Sequence, residues 1–315
     1  MANENLQTKF TEIFPEGITN EPLDKYCTLK VGGPADFFCK AKDVETLKNL
    51  IAFAKEHAIP YFILSGGSNV LFDDKGFRGL VIKMELKNLE IKDEEITADA
   101  GVIIAVMMKK AQESELAGFE KWIGLPGTVG GAVRGNAGCN GLETKDILVK
   151  ATLLDTETGK IHEEKNEYFG FKYRDSKIKH SNEIILNATF KLKKGNPEKI
   201  ENPRIFTQPK GMSAGSFFKN PSPENPAGAL IDKAGLKGAR IGNAQISEIH
   251  GNFILNLGGA TSKDILALVS LAKSTVKEKF NIDLEEEVKI LGERGLNYLL
   301  STILQFFFLP AKIKK

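Results

Sequence analysis

Apolar residues recur every three or four positions through DVETLKNLIAFAKEHAIP (43–60), which places Val44, Leu47, Leu50, Ile51 and Ala54 on one face of a helix. Asp43 stands where an N-cap is wanted, and Pro60 lies beyond the end. YFIL (61–64) then reads as a short buried strand that empties into SGGSNVLF (65–72). GLVIKM (79–84) and the alternating EEITADAGV (94–102) predict further strands, followed by a helix over roughly 103–117. ILNATFKLKKG (185–195) predicts another strand. In TSKDILALVSLAKSTVKEKF (261–280) the helical period returns at Ile265, Leu268, Val269, Ala272, Val276 and Phe280, predicting one amphipathic helix packed on a small sheet. The pattern is mixed α/β without an internal repeat, and the polar, proline-bearing NPEKIENPRIFTQPKG (196–211) marks a domain boundary.

Two glycine-rich stretches interrupt this patterning. In SGGSNV (65–70) tandem glycines directly after a strand let backbone N–H groups turn toward an anion, with Ser65, Ser68 and Asn69 as side-chain donors; the plainer alternative is a tight turn. GLPGTVGGAVRGNAGCNG (124–141) spaces its glycines by threes and fours, so a helix here would turn bare backbone toward a flat ligand or toward another backbone. Each glycine costs a helix ~1 kcal/mol relative to alanine, so stability alone does not select the arrangement. Arg134 and Asn136 would stand at the edge of such a ligand.

Three shorter stretches carry candidate chemistry. YRDS (173–176), alone, is a solvated turn. GSFFKNP (215–221), alone, is a strand whose phenylalanines fill a core before a proline turn, leaving Ser216 and Lys219 exposed. LEEEVKILG (284–292) reads as a strand with Leu284, Glu286, Val288 and Ile290 on one face and Glu285, Glu287 and Lys289 on the other.

Composition narrows the classes. At 315 residues and 42% hydrophobic content the chain can bury two or three cored units. Lys plus Arg (43) nearly balances Asp plus Glu (41), so no overall basic field argues for nucleic acid or a membrane surface, and an anionic ligand must meet local cations. No two glycines stand at i and i+2, which excludes the G-x-G-x-x-G dinucleotide fingerprint, and no G-K-[ST] exists for a P-loop. Cys27, Cys39 and Cys139 lack metal-ligand spacing, the four histidines are scattered without H-E-x-x-H, and no metal site is expected. MANENLQTKF is too polar for a signal peptide, which fits a reducing cytoplasm. The apolar run in LNYLLSTILQFFFLPAKIKK is too short to span a bilayer, which needs roughly 20 residues, and reads as a docking helix or a loose membrane-surface contact.

Taken together and in this order, TLKVGGPADFF (28–38), SGGSNVLF, GLPGTVGGAVRGNAGCNG, YRDS, AGSFFKNP (214–221), AGLKGARIGNAQISEIHGNFILN (234–256) and LEEEV (284–288) resemble the UDP-N-acetylenolpyruvoylglucosamine reductase family, whose members make the muramic acid precursor of bacterial peptidoglycan. The resemblance covers most of residues 20–292. It implies an α+β protein. An FAD-binding fold of the vanillyl-alcohol oxidase type, with two α/β subdomains split near 86, would span 21–196 behind a lead of 1–20. A linker (197–210), a C-terminal α+β substrate-binding domain (211–293) and an extension (294–315) would follow.

The same resemblance implies non-covalent FAD, NADPH as hydride donor and UDP-N-acetylglucosamine enolpyruvate as substrate, in a cytoplasmic monomer or weak oligomer. FAD would be held by Ser65, Gly66, Gly67, Ser68, Asn69 and Val70 together with Pro126, Gly127, Thr128, Gly130, Gly131, Ala132, Arg134, Asn136, Ala137 and Gly138. Substrate would meet Tyr173, Lys219, Asn220 and Gln245. A tyrosine-bearing insertion that some members place as a lid is missing between YRDS and GSFFKNP, so the chain resembles the shorter type.

In an enolpyruvyl ether the double bond is conjugated to a carboxylate. Hydride from flavin N5 therefore enters at C3 and leaves negative charge on C2 and the carboxylate, which calls for cations, hydrogen-bond donors and then a proton. The resemblance assigns the proton to Ser216 and the stabilisation of the enolate-like intermediate to Arg174 and Glu287; a register shift of two would make the acid Glu285. Rival readings are another FAD enzyme of the same fold, such as a sugar or hydroxy-acid oxidase, and a flavin-free protein that binds sugar nucleotides.

Overall fold

Adjacent Phe37 and Phe38 face opposite sides of one sheet, and that alternation divides the molecule's apolar interior in two. The computed structural model describes residues 4–195 and 207–296. Most of the expected linker and nearly all of the C-terminal extension lie outside the described residues.

The first unit contains α1 (Glu4–Ile13), β1 (Ile18–Pro22), β2 (Pro34–Ala41), α2 (Val44–Glu56), β3 (Tyr61–Leu64), β4 (Val70–Phe72) and β5 (Phe77–Met84). Its sheet runs β1-β2-β5-β3, with β2 and β3 parallel to β5 and β1 antiparallel to β2. α2 forms as its period predicts: Asp43 Oδ1 accepts from Thr46 N at 2.7 Å, and Leu47, Leu50, Ile51 and Ala54 are buried. Phe37, Leu80 and Ile82 share the core of α1 and α2, where the Phe10 and Phe37 rings lie 5.0 Å apart. Ala35, Phe38 and Val81, on the other face, belong to the core of the C-terminal unit.

The second unit contains β6 (Leu89–Lys92), β7 (Glu95–Asp99), α3 (Ile104–Glu113), α4 (Val129–Gly135), β8 (Leu148–Asp155), β9 (Ile161–Lys165) and β10 (Glu183–Lys191). Its antiparallel sheet runs β9-β8-β10-β7-β6. α3 is shorter than its sequence suggests, because Leu116 and Ala117 leave the helix to pair with Lys194 and Lys193. The glycine-spaced stretch is not one helix either. Gly124 and Gly127 sit at φ +77° and +105° in a loop, only Val129–Gly135 is helical, and Asn136 ends the turn in the left-handed region at φ +44°.

The C-terminal unit contains α5 (Ala227–Lys233), β11 (Arg240–Ile241), β12 (Ala244–Ile246), β13 (Ile254–Asn256), α6 (Ser262–Phe280) and β14 (Lys289–Gly292). β11, β12 and β13 form the expected small sheet, and α6 packs on it with Ile265, Leu268, Val269, Ala272 and Val276 buried. A capping box starts α6: Thr261 Oγ1 accepts from Asp264 N (3.1 Å), and Asp264 Oδ2 accepts from Thr261 N (3.0 Å). β14 leaves this unit and pairs in parallel with β4, matching Lys289 to Val70 and Leu291 to Phe72. LEEEVKILG is thus a strand only in its second half. GSFFKNP is extended without joining a sheet, held by single β-bridges between Ser216 and Phe253 and between Phe218 and Glu286. Phe217 and Phe218 are fully buried, each contributing about 2 kcal/mol of apolar burial. No helix among the described residues is long and apolar enough to cross a membrane.

Candidate active site

β3 delivers the chain to the loop 65–69, and the protein anchors that loop through its carbonyls. Ser65 O accepts from Lys83 Nζ, Gly67 O from Thr28 N (3.0 Å) and Asn69 O from Lys289 N (3.1 Å). In the facing loop, Gly127 O accepts from Ile104 N at 3.1 Å. In a trans peptide the next N–H points opposite to the carbonyl, so the amides of Gly66, Ser68 and Thr128 turn away from these anchors. The loops touch. Ser65 Oγ and Thr128 Oγ1 are hydrogen-bonded, and a Cβ on Gly66 would fall 2.9 Å from Gly127 Cα, which is why glycine stands there.

Between the loops and the C-terminal unit lies a cavity of about 730 Å³. Residues 65–70 line it together with Pro126, Gly127, Thr128, Gly130, Gly131, Ala132, Arg134, Ala137 and Gly138, and so do Tyr173, Arg174, Ser216, Asn220 and Glu287. Three expected contacts are placed elsewhere. Asn136 is fully buried behind the wall, where Nδ2 donates to Glu143 Oε2 (3.0 Å) and Lys172 O (2.9 Å) and Oδ1 accepts from Lys145 N (3.1 Å). Its backbone N–H caps α4 on Val133 O, and its side-chain amide, spent on Glu143, Lys145 and Lys172, has no donor left for a ligand. Gln245 sits in β12 with Nε2 on Gly238 O at 3.2 Å, and Lys219 is paired with Glu285; neither lines the cavity.

That pairing separates the two candidate acids. The Glu285 side chain is 71% exposed, whereas the Glu287 side chain is 21% exposed and its Oε1 lies 3.1 Å from Arg174 Nε. The Nε–H is not aimed along that line, so the contact is ionic rather than a hydrogen bond. Arg174 Nη2 donates to Gly138 O at 3.1 Å, and the guanidinium lies 5.3 Å from the Tyr173 ring centre. Arg174 itself is left-handed at φ +55°, a strain of about 1 kcal/mol or more for a residue with a Cβ. Its surroundings impose this: Lys172 and Asp175 exchange backbone hydrogen bonds of 3.1 Å around it, and Lys179 Nζ donates to its carbonyl.

Burial raises the Glu287 carboxyl above its ordinary range, against the pull of Arg174, Lys179 and Lys219. The cations around it feel the opposite effect. Burial, reinforced by Lys289, lowers Lys179 to about 8, and burial with Arg134 and Lys219 beside it lowers Lys289. Burial also lowers Arg134. Arg134, Arg174, Lys179 and Lys289 outnumber the lining carboxylates of Glu183 and Glu287, so this nearly neutral chain has a cavity with an excess of cations, suited to phosphates and carboxylates. Lys179 and Lys289 were not singled out from sequence. Alternation put Lys289 on the face of Glu287, but Lys179 carries no periodic signal five residues after Arg174.

Ser216 stands beside this group. Glu287 N donates to Phe217 O at 2.8 Å, so the acid and the hydroxyl sit on neighbouring extended segments of the same wall. Turned-out amides, close-packed glycines and a cationic lining suit a dinucleotide cofactor such as FAD, and the volume lies within the roughly 300–1,000 Å³ of small-molecule sites.

Comparison with known proteins agrees with this geometry. Residues 208–291 match the family model of the UDP-N-acetylenolpyruvoylglucosamine reductase C-terminal domain, and residues 35–164 match an FAD-binding domain. The chain is 41% identical over 306 residues to UDP-N-acetylenolpyruvoylglucosamine reductase of Bacillus pumilus, covering 94% of this chain and 99% of that one. The chain belongs to the UDP-N-acetylenolpyruvoylglucosamine reductase family. The Clostridioides difficile member is 44% identical over 284 residues, covering 87% of this chain and 93% of its own length. The crystal structure of the Thermus caldophilus member superposes with a TM-score of 0.72 at 35% identity, over 87% of this chain and 98% of that one.

Proposed function

We propose that Ser216, Arg174 and Glu287 carry out the family's reaction in this cavity. The chain is an FAD-dependent oxidoreductase that reduces UDP-N-acetylglucosamine enolpyruvate with NADPH, a step of peptidoglycan precursor synthesis. The observation that carries the assignment is the meeting, across Phe217, of the Ser216 segment with the Arg174–Glu287 pair in the wall that the glycine loops also line.

FAD, when bound, relays hydride from NADPH to the enolpyruvyl carbon C3. The amides of Gly66, Ser68 and Thr128 would hold its pyrophosphate, and Gly131, where a Cβ would meet nothing closer than 3.8 Å, leaves room for it. Arg174, Lys179 and Lys289 offset the charge that collects on C2 and the substrate carboxylate. Burial favours the protonated form of Glu287, which then donates toward that charge, while Arg174 orients it. Ser216 passes its proton to C2, a transfer that a weak acid achieves by being held close.

The test is NADPH oxidation by the purified yellow protein. It should depend on the enolpyruvyl UDP-sugar. Oxidation that proceeds equally well with oxygen and a simple sugar would favour the oxidase reading instead, and a colourless protein that binds UDP-sugar would favour a flavin-free one.

A further inference from the structure

Asn252 has no part in the chemistry just described, yet it makes three hydrogen bonds to the two residues that follow Ser216. Its Oδ1 accepts from Phe218 N at 2.9 Å, its Nδ2 donates to Phe218 O at 2.8 Å, and its own carbonyl accepts from Phe217 N at 2.7 Å. The side chain therefore pairs with both backbone groups of one residue, as a neighbouring strand would, at a place where only single β-bridges flank the segment. Asn252 is 2% exposed and lies in the cavity wall. Its N–H donates to His250 Nδ1 at 3.1 Å, and burial holds that imidazole below its ordinary range, so the ring stays a neutral acceptor there.

The opposite edge of the same dipeptide is held by the other catalytic arm. Phe217 O accepts from Glu287 N (2.8 Å), and Lys219 N donates to Glu285 O (2.8 Å). Asn252 and the segment 285–287 thus grip Phe217 and Phe218 from two sides. Only a carboxamide both donates and accepts in the plane this requires, and glutamine would be one methylene too long.

We propose that Asn252 is a positioning residue: by clamping Phe217 and Phe218 it sets the placement of the Ser216 hydroxyl relative to the Arg174–Glu287 pair, an inference that rests on the roles proposed for those three residues. Asn252 acts on proton delivery and not on cofactor binding, because none of its own hydrogen bonds reaches the glycine loops.

The test compares FAD-loaded wild type, Asn252→Ser, which cannot reach Phe218, and Asn252→Asp, which keeps the shape and replaces the donor facing Phe218 O by an oxygen. In stopped flow, bleaching of the flavin by NADPH should proceed near the wild-type rate. Reoxidation by the enolpyruvyl UDP-sugar should slow by about 10²-fold, the scale of a misplaced reacting group, with a larger solvent deuterium isotope effect than in wild type. Unchanged reoxidation, equal slowing of both half-reactions or an unchanged isotope effect overturns the proposal, since general loosening does not make proton transfer selectively limiting. Hydrogen exchange provides a readout without turnover: the Phe217 and Phe218 amides of the wild type should belong to the slowly exchanging class, and rapid exchange overturns the clamp even if neither variant retains FAD. A wild type that does not oxidise NADPH with the enolpyruvyl sugar sinks the reading of the reaction instead, and the exchange result then decides the clamp alone.

Discussion

Arg174 Nε and Glu287 Oε1 meet at 3.1 Å from opposite units of the fold, the arginine on the loop before β10 and the glutamate just before β14. The glutamate is carried there by the parallel pairing of β14 with β4, and Asn69 Nδ2 reaches its carbonyl at 3.3 Å, so the glycine loop and the acid share one support.

The guanidinium at Arg174 is expected to act mainly on charge that develops during reduction. Arg174→Lys keeps the charge and loses the planar fork that reaches both Glu287 and Gly138 O. Steady-state kinetics should show kcat lowered by about 10²-fold while FAD content, read by absorbance, stays near wild type. Full turnover in this variant would remove Arg174 from the mechanism.

Ser216→Ala should separate the half-reactions. Flavin bleaching by NADPH should persist, and reoxidation by the enolpyruvyl UDP-sugar should slow on the order of 10²-fold or more, the usual scale for a positioned acid. Ser216→Cys, with a stronger acid of similar shape, should retain more activity than alanine. Equal slowing of both steps would mark Ser216 as structural.

Glycines 130 and 131 should fail differently. A Cβ on Gly130 would sit 2.8 Å from Ala100 Cβ, so Gly130→Val should lower the thermal midpoint of the apoprotein. A Cβ on Gly131 would meet nothing closer than 3.8 Å, so a side chain there should abolish FAD uptake while the apoprotein midpoint stays near wild type. In the wild type, acid precipitation should release all flavin to the supernatant; flavin in the pellet would contradict non-covalent binding.

Lys179 should impose a pH dependence. Its folded pKa of about 8 lies below the ordinary 10.5, so between these values the unfolded chain binds the proton and the folded one does not. Stability contributed by this residue therefore rises as pH climbs from about 8 toward 10.5, and Lys179→Met should flatten that rise in denaturant titrations. Affinity for the anionic substrate should move the other way, weakening as pH passes about 8 and the ammonium is lost. Lys179→Arg, which stays charged, should remove that limb from the KM profile. A KM profile unaffected by either substitution would rule Lys179 out as a substrate counter-charge.

Much of this architecture is legible residue by residue. α2 and α6 follow from apolar spacing plus the caps at Asp43 and Thr261, because a helix is stabilised by neighbours three and four positions away. The glycines of the loops are legible as a motif; positive φ demands them locally at Gly127 and Gly215, whereas Gly66 is demanded by close contact with Gly127 of the facing loop. The glycine-spaced run misled where spacing alone was used: Asn136 has the polar side chain of a ligand contact, but its carboxamide is consumed in tying the end of α4 to Glu143, Lys145 and Lys172. The choice between Glu285 and Glu287 was likewise open to a strand pattern, since alternation puts both on one face. The tertiary structure sets them apart: Glu287 lines the cavity beside Arg174, whereas Glu285 is exposed and paired with Lys219. Lys179, Lys289 and Asn252 gain their significance from partners that include Arg174, Arg134 and Phe218. Contacts such as Arg174 with Glu287, or Asn252 with Phe218, join segments far apart in the chain. Periodicity reports only the faces of one segment, whereas which faces meet is decided when burial brings the segments together.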